Sequence, residues 1–319
     1  MRTGIEKRRL STLKVHECDD PSQSLLLSLE AVLSAYGRCV PRDELAAALG
    51  DAFLLTYAAE ARPGEQWNTY GRHAFLESAA RLYGLELRDL HPPDAAPLPL
   101  PPPEFEDHFT DSYLPLVRTA LDHEHPALAW MGWPAPQRAI WGVITDYDPS
   151  RGECLGRSIY SGGRTVALAA APVQIYTVQE YRETTPPPPA IIDVALNRAA
   201  AVLADRLPVK YRVVTGVVAL EKWRAAAMED SGADWHSRLV QSFVTGRRRA
   251  VEFFRLHCGA ASADQAAAVE QYAAIFEEQV QFLAPLARES NGPAELQKEL
   301  PAVLDLIIAL EQRGAAVIQ

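Results

Sequence analysis

The sequence predicts an α+β protein with a helical second part, and two patterns support this fold class. The first part of the 319-residue chain carries helical patterns and then four short runs rich in β-branched and aromatic residues. Such runs with tight turns between them are typical of an antiparallel sheet, and helices that precede the strands indicate α+β rather than α/β architecture. The second part carries no strand pattern, so we expect it to be helical.

The clearest element is a helix predicted from Asp20 to Gly37. Asp20 suits the N-cap, Pro21 suits the first helical position, and Gln23 suits a capping box that returns to the Asp20 amide. Its apolar positions recur at helical spacing: Leu25, Leu29, Val32 and Tyr36. Ser24 lies in the first turn, where free amides and the helix dipole stabilise negative charge. Ser24 is therefore a candidate nucleophile.

The remaining elements of the first part follow from the same rules. Three more helices are predicted at Pro41–Gly50, Tyr70–Tyr83 and Phe109–Asp122. The predicted strands are Pro126–Met131, Ala139–Tyr147, Cys154–Tyr160 and Val173–Val178. The run His91–Pro103 holds seven prolines in 13 residues and predicts an extended connector. A lid, or a ligand for a proline-recognition domain, is the alternative interpretation of this run.

A second proline block, Glu183–Ala190, predicts the domain boundary. We therefore predict an α+β domain at 1–182, a proline-rich linker at 183–190 and an all-α bundle at 191–319. The bundle helices are predicted near 191–206, 213–229, 233–257, 263–289 and 294–318, with a break at Asn291–Pro293. The pattern leaves open whether the bundle packs on the first domain or pairs two protomers.

Composition excludes several classes of function. The net charge of −10 argues against nucleic acid or an anionic membrane as a partner. The one basic cluster, Arg247–Arg249, is expected to be a solvated helix face. Four cysteines without metal-binding spacing predict a reducing compartment, and we expect neither a metal nor a cofactor. Without a secretory signal or a long apolar run, the chain is expected to be cytoplasmic.

Three stretches together resemble a known family. Gln23–Gly37 ends in Tyr-Gly, Gly50–Tyr57 is an apolar segment after a glycine, and Ile140–Asp148 is a strand that ends in Tyr-Asp. They are similar to the papain-like domain of the butirosin-biosynthesis protein H group, which itself is similar to bacteriocin-processing double-glycine peptidases. The helical stretch Thr215–Trp223 resembles the region that often accompanies this domain. The resemblance implies a papain-like fold for the first domain.

The resemblance also implies where a thiol active site would lie. The nucleophilic cysteine of the family falls on Ser24, and the residue before it on Gln23. The catalytic histidine falls at or just before Ile140, where the chain has Gln137, Arg138 and Ala139. Both the thiol and the imidazole are therefore replaced, and a serine hydroxyl is a poor nucleophile without an adjacent base.

Other residues are candidates for the same cleft. His125, and less directly His108, are candidate bases for Ser24. Half a metal site is suggested by His123 and His125 around Glu124, but no spacing supplies a third ligand, so no metal is predicted. Aromatic and polar residues expected to border the cleft are Trp67, Tyr70, Trp133, Arg138, Trp141, Tyr147 and Asp148. Core packing is the alternative role of the tryptophans.

The sequence thus predicts a catalytically degenerate protein with an accessory or binding role in a natural-product type of pathway. The first alternative is an acyl or aminoacyl transferase that moves an acyl group from a carrier protein to a small acceptor through Ser24. The second is a dimeric assembly module. Expected partners are a small molecule or a carrier-bound acyl group, and a second copy of the chain through its helical part. Whether the chain is an enzyme stays open at this point; an active one would be an acyltransferase or a peptidase-like hydrolase.

Overall fold

The chain forms two compact units. The computed structural model describes residues 8–61, 65–90, 109–208, 212–229, 234–287 and 293–317. The sheet unit comprises Met1–Pro41 and Leu76–Thr185, and the helical unit comprises Arg42–Phe75 and Pro186–Gln319. The proline-rich run 91–103, His108 and most of the predicted break at 291–293 lie outside the described residues. Among the helices described, none has the length and apolar character that crossing a bilayer requires.

The sheet unit combines short helices with an antiparallel sheet. The helices that precede the last strand are, in chain order, α1 (Arg8–Thr12), α2 (Ser24–Ala35), α3 (Arg42–Ala48), α4 (Leu76–Leu82) and α5 (Leu114–Asp122). Helix α3 belongs to the helical unit, and the other four belong to the sheet unit. The strands are β1 (Leu85–Asp89), β2 (Ala127–Trp130), β3 (Trp141–Asp148), β4 (Glu153–Ser158), β5 (Val166–Ala167) and β6 (Gln174–Tyr181). They pair antiparallel in the order β1-β6-β2-β3-β4-β5. The predicted α+β class and antiparallel sheet are confirmed.

Helix α2 begins and ends close to the predicted residues. A 3₁₀ turn at Pro21–Gln23 precedes it, and the Asp20 carboxylate accepts a hydrogen bond from the Ser22 amide at 2.9 Å. At the other end Gly37 adopts φ +79°, and its amide donates to the Ser34 carbonyl at 2.9 Å. A residue without Cβ is favoured in this left-handed conformation. The predicted glycine stop at Gly37 is therefore confirmed.

The helical unit is built from α3 and the helices that follow the sheet. These are α6 (Pro188–Leu203), α7 (Gly216–Glu229), α8 (Asp234–His257), α9 (Ala263–Leu283) and α10 (Pro293–Ala315). Their bounds lie within three residues of the predicted helices, except that α9 ends at Leu283 instead of the predicted 289. The predicted domain limits at 182 and 191 stay a prediction, while the compact unit also includes Arg42–Phe75 from the first part of the chain.

A buried arginine holds the helical unit together. Arg247 on α8 is 1% exposed, and its guanidinium donates to Glu311 on α10 at 2.5 Å, to Gln279 on α9 at 2.6 Å and to the Ala52 carbonyl at 3.0 Å. The guanidinium also lies 4.1 Å from the ring centroid of Phe243. Burial lowers the pKa of Arg247, and the Glu311 carboxylate opposes this shift. One side chain thereby joins three helices and the segment around Ala52.

The expectation that Arg247–Arg249 forms a solvated face was wrong. Arg248 alone is exposed, whereas Arg249 is mostly buried and lies 3.8 Å from the Asp43 carboxylate. On a helix the three side chains point in different directions, so consecutive basic residues do not share one face. The sequence run gave no sign that one of the three has a buried carboxylate partner.

Replacement of Arg247 by alanine should cost about 3–5 kcal/mol of unfolding free energy, because Glu311 would remain as an uncompensated buried charge. Urea denaturation followed by far-UV circular dichroism measures this loss. The matched control is Arg248→Ala on the same helix, for which we expect a change within about 0.5 kcal/mol. Equal effects of the two substitutions would contradict the structural role of Arg247.

Candidate functional site

Ser24, the predicted nucleophile position, is a buried link between α2 and the sheet. It is 2% exposed, and its hydroxyl donates to the Pro21 carbonyl at 2.6 Å. The same oxygen accepts a hydrogen bond from the amide of Trp141, the first residue of β3, at 3.0 Å. The hydroxyl proton is thus held by a backbone carbonyl rather than by a base. Gln23 beside it is also buried, and its amide donates to the Ser22 hydroxyl at 3.3 Å.

The predicted base, His125, lies near the opposite end of α2. Its Nδ1 is 2.6 Å from the hydroxyl oxygen of Tyr36, the residue that follows α2, and the two rings are stacked. The helical rise separates the Cα atoms of Ser24 and Tyr36 by about 18 Å. His125 is therefore far beyond hydrogen-bond reach of Ser24. A catalytic role for either residue stays a prediction.

The predicted aromatic residues of the sheet unit are packed in its core. The Trp141 ring centroid lies 6.4 Å from that of Trp130 and 6.1 Å from that of Tyr176. Trp133 donates from its indole nitrogen to the Ala129 carbonyl at 3.1 Å. All of these aromatic rings belong to residues less than 5% exposed. The core-packing alternative describes them better than a border of an open cleft.

Trp133 and the paired strand backbone together explain why two neighbouring strands carry glycine, because a Cβ on Gly156 would also lie 2.2 Å from the Val143 carbonyl oxygen and one on Gly142 would lie 2.7 Å from that of Arg157. A Cβ on Gly142 would lie 2.5 Å from the Trp133 indole, and a Cβ on Gly156 would lie 2.8 Å from it. The flat indole covers the surface that these two residues leave bare. Arg138 is half-buried in the same connection between β2 and β3.

Trp67 and Tyr70 belong to the helical unit, whereas Ser24, Trp133 and Trp141 belong to the sheet unit. Trp67 is half-buried, and its ring stacks on that of Trp235 with centroids 5.6 Å apart. Tyr70 is buried. That these two residues border the same cleft as Ser24 stays a prediction.

Asp148 acts as a turn residue at the end of β3. Its carboxylate accepts hydrogen bonds from the Ser150 hydroxyl at 2.6 Å and the Ser150 amide at 2.9 Å. These bonds, the hydroxyl one first, lower the pKa of Asp148, because they favour the charged form. Asp148 therefore stabilises the turn from β3 to β4.

A polar cleft does exist in the sheet unit, at the end of β3 remote from Ser24. Its volume is about 540 Å³, within the range of small-molecule sites. Its lining includes Arg118, Asp122, Glu124, Thr145, Tyr147 and Arg157. The strand rise separates Trp141 from Tyr147 by about 20 Å, so this cleft is distinct from the Ser24 position. Of the predicted site residues, Tyr147 lines it.

The walls of the cleft are fixed by backbone features. Thr145 is the extra residue of a β-bulge, because Ile144 pairs with Gly156 while Asp146 pairs with Leu155. Bulges redirect side chains and are frequent beside functional sites. Arg157, which also lines the cleft, donates from its guanidinium to the carbonyls of Leu13 and Ser11.

Glu124 occupies a backbone position that favours glycine. It follows the end of α5 with φ +58°. Its amide donates to the Leu121 carbonyl and the His125 amide donates to the Ala120 carbonyl, both at 2.9 Å, which defines a Schellman motif. At the matching position after α2 the chain has Gly37. A non-glycine residue in this conformation costs about 1 kcal/mol, so the Glu124 side chain is held in the cleft at a cost in stability.

Comparison with known proteins gives no assignment: no family model, no curated protein and no solved structure matches the chain. Within the described residues, no group of three or more histidine, cysteine or acidic side chains is placed to hold a metal ion.

Three serines of α2 allow a matched test of the Ser24 geometry. Ser24→Ala should cost about 1–3 kcal/mol of unfolding free energy, because the buried Trp141 amide loses its acceptor. Ser28 is fully buried, and its hydroxyl has no hydrogen-bond partner among the described residues, so Ser28→Ala should be neutral or stabilising. Ser34 is exposed and serves as the surface control. Urea denaturation of the three variants measures these differences, and equal values for Ser24→Ala and Ser34→Ala would contradict the linking role.

Proposed function

We propose that this chain is a catalytically degenerate, papain-like protein with a binding or accessory role in a biosynthetic pathway of the natural-product type. The observation that carries the proposal is the Ser24 hydroxyl, which is buried and bound to two backbone groups. A nucleophilic serine needs a base within hydrogen-bond reach and an oxygen open to the substrate. The Ser24 hydroxyl donates a hydrogen bond to the Pro21 carbonyl and accepts one from the Trp141 amide.

The geometry of the histidines supports the same proposal. An acyl transferase acting through Ser24 requires His125 or another base at its side. His125 is hydrogen-bonded to Tyr36, about 18 Å along α2 from Ser24. Bringing His125 to Ser24 would require α5 and the following turn to leave their places beside the sheet. A structural serine at the start of α2 requires no such movement.

Of the four cysteines, Cys18 is half-buried and precedes α2, and the other three do not replace the missing thiol. Cys154 is 4% exposed, and burial raises the pKa of its thiol to about 12, which removes the reactive thiolate at neutral pH. Cys39 and Cys258 are exposed, and Cys258 is hydrogen-bonded to the Arg255 carbonyl at its helix end. These thiols are free to exchange with a reagent. They lie outside α2, where the family places its nucleophile.

Incubation with acetyl-coenzyme A thioester, followed by intact-mass and peptide mapping, tests the proposal. We expect no acetyl group on Ser24, because its oxygen is buried. Acetyl groups acquired by Cys39 and Cys258 show that the reagent is active, and neutral hydroxylamine removes those thioesters. A hydroxylamine-resistant acetyl group on Ser24, absent from Ser24→Ala, would support the transferase alternative instead.

The oligomeric state is independent of the chemistry at Ser24. Association of two copies through the helical part stays a prediction, and light scattering on the full-length chain measures it.

A further inference from the structure

The polar cleft between α5 and the end of β3 holds an arginine whose donors are available to a ligand. The Arg118 guanidinium carbon lies 4.7 Å above the ring centroid of Tyr147. Asp122 lies one turn further along α5, at the i,i+4 spacing that allows an ion pair. In the described part of the chain, however, Arg118 forms no ion pair with Asp122 or with another carboxylate. The aromatic ring orients the guanidinium and leaves its edge free.

Carboxylates lie beside this arginine in the same cleft. Asp122 is exposed, and Glu124 is held half-buried by the Schellman motif at the end of α5. Neither carboxylate has an ion-pair partner among the described residues. The cleft therefore contains an oriented guanidinium, that of Arg118, and two carboxylates without an ion-pair partner among the described residues, those of Asp122 and Glu124. Side chains four positions apart on a helix have Cβ atoms about 6 Å apart, which is a span that one small molecule covers.

We propose that this cleft binds a small zwitterion of the amino-acid class. Its carboxylate pairs with the Arg118 guanidinium, for which planar, two-bond recognition is favoured. Its ammonium group lies between Asp122 and Glu124, and Thr145 and Tyr147 form the adjoining wall. The inference rests on the proposed binding role and names the ligand class for it.

The charge pattern argues against ligands of a single sign. A phosphate or another dianion would meet Arg118 but would also approach Asp122, Glu124 and the nearby Asp146. A simple cation would find the carboxylates but would be repelled by Arg118 and Arg157. A ligand with both charges satisfies both sides at once.

Calorimetric titration of the full-length chain with the proteinogenic amino acids tests the inference. We expect at least one of them to bind, and its N-acetyl and methyl-ester derivatives, which each keep one charge, to bind at least about tenfold more weakly. Absence of binding by every amino acid would overturn the inference. So would derivatives that bind as tightly as the parent amino acid, because they would show recognition of one charge or of shape alone.

Single substitutions test the contributions of Arg118 and Glu124 to binding separately. Arg118→Gln and Glu124→Gln should each weaken amino-acid binding at least about tenfold without a change in melting temperature. The controls are Arg88→Gln on β1, at the other edge of the sheet, and Glu183→Gln after β6, both exposed. We expect wild-type affinity in the two controls. Wild-type affinity in Arg118→Gln would overturn the inference.

Glu124→Gly gives a further test because its two effects have opposite signs. Glycine relieves the left-handed backbone, so the melting temperature should rise, while amino-acid binding should weaken with the loss of the carboxylate. A variant that is more stable and still binds as the wild type does would overturn the role of Glu124. These outcomes are independent of Ser24, so acetylation of Ser24 would contradict the proposed non-catalytic function and leave the cleft result standing.

Discussion

The helices of the helical unit are linked by a buried ion pair, Arg247 with Glu311. Burial of a charged side chain away from water costs free energy unless protein groups pair with the charge and form its hydrogen bonds. Arg247 completes them with Glu311, Gln279 and the Ala52 carbonyl, and each partner comes from a different element. Glu311 also contributes, after burial, to raising the pKa of Tyr272 to about 12. The positions of α8, α9 and α10 are thus linked, since movement of any one would leave a charge without a partner.

In the sheet unit, a polar group that suggests chemistry instead supports structure. The start of a helix is suited to a nucleophile because its amides face outward. Here the Ser24 hydroxyl satisfies the Trp141 amide, and Asp20 satisfies the Ser22 amide. Both groups are therefore used within the fold, which is consistent with the proposed non-catalytic role.

The spacing of apolar residues in the sequence predicted the helices and strands far better than it predicted the functional residues. Helix α2 and strands β2, β3, β4 and β6 were found because their apolar spacing is local. Strand β1 was missed, although Leu85 and Leu87 alternate with polar residues as a half-buried strand requires. The burial of Arg247 and the cleft depend on residues far apart in the chain, such as Arg118 and Arg157, and no local pattern reports such proximity. Of the predicted site residues only Tyr147 lines the cleft, and Glu124 was named only as the residue between His123 and His125.

The discontinuous helical unit has a consequence for its synthesis. Segment 42–75 belongs to that unit, yet the ribosome completes it long before the helices it packs with. Ala52 precedes Arg247 by 195 residues, which corresponds to about 10–40 s of translation. During that interval Phe53 lacks Phe254 of α8 and Phe276 of α9, on which its ring stacks, and Leu45 and Leu49, also buried in the finished fold, lie in the same segment. The nascent chain therefore offers an apolar stretch to ribosome-associated chaperones until its last helices emerge.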